Sequence, residues 1–235
     1  MTPMGEPRGR TSEERAYYAF SERVYARFAR FYDLVTFPLA GLRREVVMAS
    51  GCNGQSHVLD VATGTGAQAH AFSGIAREVA GADLSEAMLE VARRKRSAPN
   101  LRYCQADATD LPFADHSFDV SCISFALHEM PQSVRETALR EMVRVTEPGG
   151  TLVVVDYALP AAVLWRWFVF HAVKLYERDA YADFVRRDLA QMLRHAGAEV
   201  QQHHPSILGA AQILIAKALL RSARQQERRP DGRQL

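Results

Sequence analysis

Three aspartates occur at comparable places in the first half of the chain, each near the end of a short apolar run. Asp60 lies in HVLDVA, Asp83 in VAGADL and Asp107 at the end of NLRYCQAD. If these runs are strands of a parallel sheet, their carboxyl ends meet at one edge, where open α/β sheets bind ligands. Carboxylates there can attract a cationic ligand group or accept hydrogen bonds from hydroxyl and amino groups. The three acids therefore predict a ligand site.

A glycine turn follows the first of these acids, in the stretch VLDVATGTGAQA. Gly64, Gly66 and Ala69 formally fit the dinucleotide fingerprint, in which a helix N-terminus holds a pyrophosphate. Asp60, one turn earlier, would repel a pyrophosphate but attract an ammonium or a sulfonium. S-adenosyl-L-methionine carries both of these cations. The turn therefore favours this cofactor, with S-adenosyl-L-homocysteine as its product, and a nicotinamide-dependent oxidoreductase is the alternative.

Apolar runs alternate with amphipathic stretches through the middle of the chain. The predicted strands are 57–62, 79–84, 100–107, 118–126, 151–157, 198–204 and 211–219, and the predicted helices are 66–78, 85–96 with Ser85 as N-cap, and 133–146. A turn at Pro148-Gly149-Gly150 precedes the fifth strand, and the final two strands are expected to be an antiparallel pair at the edge. The pattern predicts an α/β, Rossmann-like, seven-stranded, mostly parallel sheet with helices on both faces and the last strand antiparallel.

Around this core we predict one domain between flexible ends. The predicted divisions are a flexible N-terminus 1–12, a domain 13–221 made of a helical cap 13–50, a cofactor-binding core 55–157, an aromatic helical segment 160–197 and edge strands 198–219, and a flexible tail 222–235. The aromatic segment carries Trp165, Trp167, Phe168, Phe170, Tyr176, Tyr181 and Phe184. Three interpretations stay open for it: a core helix pair, a lid over an apolar substrate pocket, or a surface that contacts a membrane.

Composition limits the partners of the chain. The net charge is only +2 over 235 residues, which gives no electrostatic reason to expect nucleic acid. The three cysteines are widely spaced and form no metal-binding pattern with histidine, so we expect reduced thiols, no metal site and a cytoplasmic location. No apolar run is long enough for a transmembrane helix, and the N-terminus lacks an apolar leader. Peripheral membrane contact and a homodimer stay open.

Four stretches together carry a resemblance to a known family. They are VLDVATGTG, VAGADLSEAMLEVARRK, ADATDLPFADHSFDVSCISFALHEM and EMVRVTEPGGTLVVVDY, which cover roughly residues 55–157. They resemble the class I S-adenosylmethionine-dependent methyltransferases, and most closely the branch of the ubiquinone/menaquinone biosynthesis C-methyltransferases. The resemblance implies the Rossmann-like fold, the cofactor and a methyl-transfer activity.

By position, the resemblance also implies residue roles in the cofactor site. The methionine part is assigned to Asp60 and the turn residues Ala62, Thr63, Gly64 and Gly66, the ribose to Asp83, the adenine to Leu84, Met88, Asp107 and Ala108, the sulfonium end to Ser124 and Phe125, and a closing contact to Tyr32. One departure is Ala62, which stands where many members have the first glycine of the turn.

The residues after the fourth and fifth strands are expected to face the transferred methyl group. His128 is the candidate general base, because its unperturbed pKa near 6.5 suits proton uptake at neutral pH. The alternative is that His128 caps the following helix or bonds a loop carbonyl. Glu129 is expected to orient His128, face solvent or help bind a cationic acceptor, and Tyr157 points to the same end of the sheet.

We therefore predict a methyltransferase that acts on a small, apolar or aromatic acceptor, which is lipid-like in the quinone interpretation, with C- or O-methylation favoured. Several alternatives stay open. The stretch FYDLVTFPLAGLRREV is similar to bacterial phosphatidylethanolamine N-methyltransferases, and small-molecule N- and S-methyltransferases share the same core. A non-catalytic S-adenosylmethionine-binding protein would carry the same cofactor motifs.

Overall fold

The computed structural model describes residues 10–36, 39–160, 162, 167 and 179–220. The strands are β1 His57–Val61, β2 Glu78–Asp83, β3 Leu101–Gln105, β4 Phe118–Ser124, β5 Thr146–Tyr157, β6 Ala198–Ser206 and β7 Ala211–Ala218. The helices are α1 Ser12–Thr36, α2 Ala40–Ala49, α3 Ala67–Ser73, α4 Glu86–Lys95, α5 Gln132–Val145, α6 Asp179–Phe184 and α7 Leu189–Ala196, with 3-10 turns at Leu127–Glu129 and Ile207–Gly209.

The described strands form one sheet in the order β3-β2-β1-β4-β5-β7-β6. Strands β1 to β5 run parallel, and β7 pairs antiparallel with both β5 and β6. The predicted Rossmann-like, mostly parallel sheet with an antiparallel final strand is therefore confirmed. The strand order reverses between β1 and β4, which is the switch point where such sheets bind ligands.

Both faces of the sheet are covered by apolar cores, because successive residues of a strand point to opposite faces. In β5, Leu152 and Val154 belong to the core beneath α5 and α7, whereas Val153 and Val155 belong to the core beneath α2 and α3. All four side chains are at most 1% exposed. This two-sided burial explains why the strand reads as a continuous apolar run rather than as an alternating pattern.

Several predicted elements have different ends in the structure. The strand expected over 100–107 ends at Gln105, so Asp107 lies in the loop after it. The helix expected over 66–78 ends at Ser73, and a turn through Gly74 leads into β2. The strand expected over 118–126 ends at Ser124, because Phe125 adopts a left-handed backbone with φ of 51°. The fifth strand begins earlier, at Thr146, and its pairing with β4 shifts register across Pro148-Gly149-Gly150, which bulges out of the ladder.

Helix α1 lies over the carboxyl end of the sheet and packs against α4. One acid fixes this position: Asp33 accepts a hydrogen bond from Thr65 Oγ1 at 2.7 Å and pairs with Lys95 at 2.9 Å and Arg96 at 3.0 Å. Although burial raises it, the hydrogen bonds from these three residues hold the pKa of Asp33 at about 2. Asp33 thus ties α1 to the glycine turn and to α4.

Only part of the aromatic segment 160–197 falls within the described residues. Tyr181 and Phe184 on α6 are buried, which agrees with core packing, and Trp167 is 60% exposed. The remaining aromatic residues of the prediction, Trp165, Phe168, Phe170 and Tyr176, lie outside the described residues. Among the helices that are described, none combines the length and apolar character needed to cross a membrane.

Candidate functional site

A cavity of about 330 Å³ lies at the carboxyl ends of β1, β4 and β5, under α1 and α2. It brings together ten residues that the sequence singles out: Tyr32, Asp60, Ala62, Thr63, Gly64, Ser124, Phe125, His128, Glu129 and Tyr157. Six others are not among its lining residues: Gly66, Asp83, Leu84, Met88, Asp107 and Ala108. The cavity therefore joins the predicted methionine end of the cofactor site to the predicted acceptor end.

Asp60 contributes a buried carboxyl group to the floor of this cavity. Its side chain accepts a hydrogen bond from Thr63 Oγ1 at 2.5 Å, and the residue is 1% exposed. Burial raises the pKa of Asp60 to about 7, and the hydrogen bond from Thr63 opposes that rise. A cation placed beside the carboxylate would favour the charged form, so the environment suits an ammonium or sulfonium.

The glycine turn needs backbone angles that other residues rarely adopt. Gly64 and Gly66 have φ of 55° and 79°, and a Cβ on Gly66 would collide with the ring of Tyr103. Ala62 takes the same left-handed conformation, with φ of 53°. A glycine would hold that angle without strain, which gives a physical reason for the glycine that the family resemblance implies at this position.

Asp83 links the end of β2 to the glycine turn. Its Oδ2 accepts the backbone N–H of Gly64 at 2.7 Å, and its Oδ1 accepts that of Ser85 at 2.9 Å. Ser85 is the N-cap of α4, as predicted, and its hydroxyl accepts from the backbone of Met88. Burial raises the pKa of Asp83 to about 6, and the two backbone hydrogen bonds oppose the rise. Each carboxylate oxygen keeps acceptor capacity for a ligand hydroxyl.

The predicted adenine end lies under the start of the N-terminal cap. Asp107 pairs with Arg10 at 3.2 Å, and the Arg10 guanidinium stacks on the ring of Tyr18 with 3.5 Å to its centroid. Met88 is 2% exposed and packs beneath α1 against Ala29. The planar guanidinium thus donates to the carboxylate that is predicted to accept the adenine amino group.

His128 is held at the acceptor end by a carboxylate that the sequence did not suggest. Asp156 Oδ1 lies 2.7 Å from His128 Nδ1, and Asp156 Oδ2 accepts the backbone N–H of His128 at 3.2 Å. Because a carboxylate only accepts hydrogen bonds, Nδ1 carries the proton and Nε2 is the basic nitrogen. The His128 ring packs edge-on against Tyr157, with centroids 4.6 Å apart.

Glu129 and Tyr25 close the cavity on the side of α1. The Tyr25 hydroxyl donates a short hydrogen bond to Glu129, and the Tyr25 ring packs edge-on against Tyr32. Glu129 Oε1 lies 3.9 Å from His128 Nε2. Further aromatic side chains of α1, Phe20, Phe28 and Phe31, line the same cavity. The acceptor end therefore combines aromatic walls with a small number of polar groups.

Sequence reasoning missed four residues at or near the site: Tyr25, Asp33, Arg43 and Asp156. Asp156 ends an apolar run just as Asp60 and Asp83 do, so the same argument about strand ends would have found it. Arg43 on α2 lines the cavity, and burial lowers its pKa although Asp33 and Asp60 oppose this effect. The sequence gives no periodic signal for its inward position.

These residues fit S-adenosylmethionine at its amino-acid end. Asp60 is an acid beside an electrically neutral turn, and Arg43 is a cation that lines the same cavity. An ammonium and a carboxylate on one ligand would match this pair of opposite charges. At the adenine end, the ligand would have to replace the contact between Arg10 and Asp107. The individual residue roles remain predictions.

Comparisons with known proteins define the class. A family model described as a methyltransferase domain matches residues 58–150. The structure of the DhpI–SAH complex shares the fold, with a TM-score of 0.65 and 21% sequence identity, over 90% of this chain and 100% of that one. The predicted class, the Rossmann-like fold of the methyltransferase domain, is confirmed.

Curated relatives define the family more narrowly. The ubiquinone/menaquinone biosynthesis C-methyltransferase UbiE of Haemophilus ducreyi is 33% identical over 202 residues, which is 75% of this chain and 77% of the relative. The demethylmenaquinone methyltransferase of Paenarthrobacter aurescens is 43% identical over 124 residues, 53% of this chain. In that match the chain spans about half the length of the relative, 47%. The chain belongs to the family of the ubiquinone/menaquinone biosynthesis C-methyltransferases.

Proposed function

We propose that the chain transfers a methyl group from S-adenosylmethionine to a ring carbon of a quinol-like aromatic acceptor. The observation that carries the proposal is the single cavity that joins Asp60 and the glycine turn to His128, Tyr157 and the aromatic side chains of α1. The names of the relatives, demethylmenaquinone methyltransferase and UbiE, support the acceptor class.

When bound, the cofactor supplies an electrophilic methyl carbon on a positively charged sulfur. The chain's part is to hold the two reactants in line and to exclude water, since positioning alone provides a large share of the rate in such displacements. Asp60 and the turn fix the donor end, while Phe125 and Tyr157, whose ring centroids lie 5.3 Å apart, provide an aromatic wall beside it. A planar ring can pack against that wall.

His128 takes the proton that an acceptor hydroxyl must lose. It lines the cavity, is 2% exposed, and its Nε2 is the nitrogen that accepts the proton when Asp156 holds the other proton on Nδ1. A phenolic hydroxyl activated in this way increases the electron density at the neighbouring ring carbon. C-methylation is thus favoured over O-methylation in this proposal, and a cytoplasmic location and a lipid-like acceptor stay predictions.

The test is a transfer assay with methyl-labelled S-adenosylmethionine and a chemically reduced 2-prenyl-1,4-naphthohydroquinone. We expect label in the organic phase, with the methyl group on the ring carbon by mass spectrometry and NMR. The control D83N keeps the size of Asp83 but removes the charge, and it should weaken cofactor binding. If the wild type binds the cofactor but labels neither this acceptor nor an extract of host cells, the chain is a cofactor-binding protein without transfer activity.

A further inference from the structure

We infer that Asp156 is a positioning residue for methyl transfer, which acts by fixing the tautomer and orientation of His128; this inference rests on the proposed function. Asp156 is 0% exposed and lies in β5, while His128 lies in the 3-10 turn that follows β4. Because β4 and β5 are neighbours in the sheet, the two residues meet although 28 positions separate them.

The contacts of Asp156 leave one arrangement for the histidine ring. Its carboxylate accepts from His128 Nδ1 at 2.7 Å, from the His128 backbone at 3.2 Å and from the Tyr157 backbone at 2.7 Å. Edge-on packing against Tyr157 and Phe184, with centroids 4.6 and 6.4 Å away, restricts the ring further. Nε2 is therefore the basic nitrogen, in a side chain that lines the cavity.

This arrangement allows His128 to act as the base for a phenolic acceptor. The hydroxyl proton moves to His128 Nε2, and the adjacent ring carbon uses its electron pair to bond the methyl carbon. The methyl–sulfur bond breaks with its electron pair left on sulfur. The ring carbon then releases its own hydrogen as a proton to water, which restores aromaticity, and His128 returns its proton to the oxygen. One proton is released per methyl group transferred, and His128 ends as it began.

The alternative is a purely structural role, in which Asp156 only holds the turn after β4 through its hydrogen bond to the backbone of His128. D156N separates the two roles, because its amide oxygen can still accept the backbone N–H of His128, whereas the contact with the Tyr157 backbone is lost. Its NH₂ group, however, donates toward Nδ1 and moves the ring proton to Nε2, where the base is needed. D119N is the matched control, since Asp119 also accepts a backbone N–H, from His57 at 2.7 Å, and it is not among the residues that line the cavity.

The experiment measures tautomer and turnover on the full chain. ¹⁵N NMR of the cofactor-free protein should show a proton on Nδ1 of His128 in the wild type and D119N, and on Nε2 in D156N. With the naphthohydroquinone assay, D156N should lower kcat on the order of 10²-fold, with less than about a threefold change in KM and in cofactor affinity. In an H128Q background, D156N should cost almost nothing further, since both changes remove the same function.

Several outcomes would overturn the inference. They are a proton on Nε2 in the wild type, an unchanged kcat in D156N, or a full additional loss from D156N in the H128Q background. The first requires only the wild type, the second requires D156N beside it, and the third requires the single variant H128Q and the double variant. A wild type that binds the cofactor but transfers nothing contradicts the proposed function instead, and the tautomer measured in the same sample shows which of the two statements has failed.

Discussion

A single buried carboxyl group, Asp60, determines both a stability cost and a binding preference. Burial raises the pKa of Asp60 to about 7 in the cofactor-free protein, whereas an unfolded chain gives an aspartate a value near 3.8. Between these two values the folded state binds the extra proton, so the free energy of unfolding decreases as pH rises from about 4 to about 7. Above that window the cost is fully present.

D60N should remove this pH dependence. The amide keeps an oxygen that can accept from Thr63 but carries no charge, so we expect D60N to be more stable than the wild type at pH 8, by up to about 4 kcal/mol. At pH 5 the difference should shrink to about 1.6 kcal/mol, because that pH is only about 1.2 units above the pKa of the unfolded chain. Urea unfolding at both pH values checks this, and cofactor affinity should fall. Equal stability at pH 8 would contradict the assignment of a costly buried charge.

At the residue scale, sequence succeeds where a side chain's role follows from its place in a strand. Asp60 and Asp83 could be predicted because each stands near the end of an apolar run, and the structure places both beside the glycine turn. The pairing of His128 with Asp156 could not be predicted, because it depends on which strand lies beside β4. The inward position of Arg43 could not be predicted either, because it depends on how α2 packs over the glycine turn.

Among the elements, α1 has the most influence on access to the site, because its side chains line the cavity and its end is tied to the glycine turn by Asp33. D33N should loosen this end, since it removes the charge that Lys95 and Arg96 face. We expect a loss of about 1 kcal/mol, limited because the ion pairs are partly exposed. Hydrogen exchange should quicken in the last two turns of α1.

The matched control for that prediction is E78Q, which removes the exposed ion pair with Arg102 near the other end of the sheet. Its effect on stability should stay within about 0.5 kcal/mol, and exchange in α1 should not change. If D33N leaves exchange in α1 as slow as in the wild type, apolar packing against α4 rather than Asp33 holds the helix in place.

Arg10, which lies just before α1, should compete with the adenine end of the cofactor for Asp107. Arg10 donates to Asp107, so R10A should expose that carboxylate and raise cofactor affinity about two- to fivefold, the value of a partly exposed ion pair. R93A, which removes an exposed pair with Glu86, serves as control. Calorimetric titration measures both. A lower affinity in R10A would mean that Arg10 helps to hold the cofactor.

The order of the elements could be predicted from sequence far better than their ends. The alternation of apolar runs and amphipathic stretches predicts the parallel sheet, because strands that are buried on both faces have nearly continuous apolar sequences. The end of α3 at Ser73 and of β4 at Ser124 depends on local backbone turns that hydrophobic periodicity does not register. Similarly, the two final strands could be recognised as a pair. Their order in the sheet, in which β7 lies between β5 and β6, could not be predicted.

For the whole molecule, the function that we propose divides the site between two parts of the sheet. The ends of β1 and β2 with their acids would form the donor half, and the ends of β4 and β5 with His128, Asp156 and Tyr157 would form the acceptor half. Helix α1 spans both halves, through Asp33 at the glycine turn and Tyr25 at Glu129. Because the same helix, α1, contacts both halves, binding of the cofactor and binding of the acceptor should be coupled.

The charge state of the donor half also makes cofactor binding depend on pH. With pKa values of about 7 for Asp60 and about 6 for Asp83, part of the cofactor-free protein is protonated at pH 6.5. A cation beside Asp60 and ribose hydroxyls that donate to Asp83 both favour the carboxylates, so binding should release protons there, and affinity should rise between pH 5.5 and pH 8. Since the free protein loses stability over the same window, the increase in Tm caused by the cofactor should grow with pH.

Calorimetry in buffers with different ionisation enthalpies measures this release directly. We expect close to one proton released per cofactor at pH 6.5, almost none at pH 8.5, and a smaller release at pH 6.5 in D60N, in which only Asp83 still titrates. E136Q, which alters a partly exposed helix residue paired with Arg140, should behave as the wild type does. If the binding enthalpy at pH 6.5 is the same in every buffer, no proton is released, and the cofactor does not bind beside these two carboxyl groups.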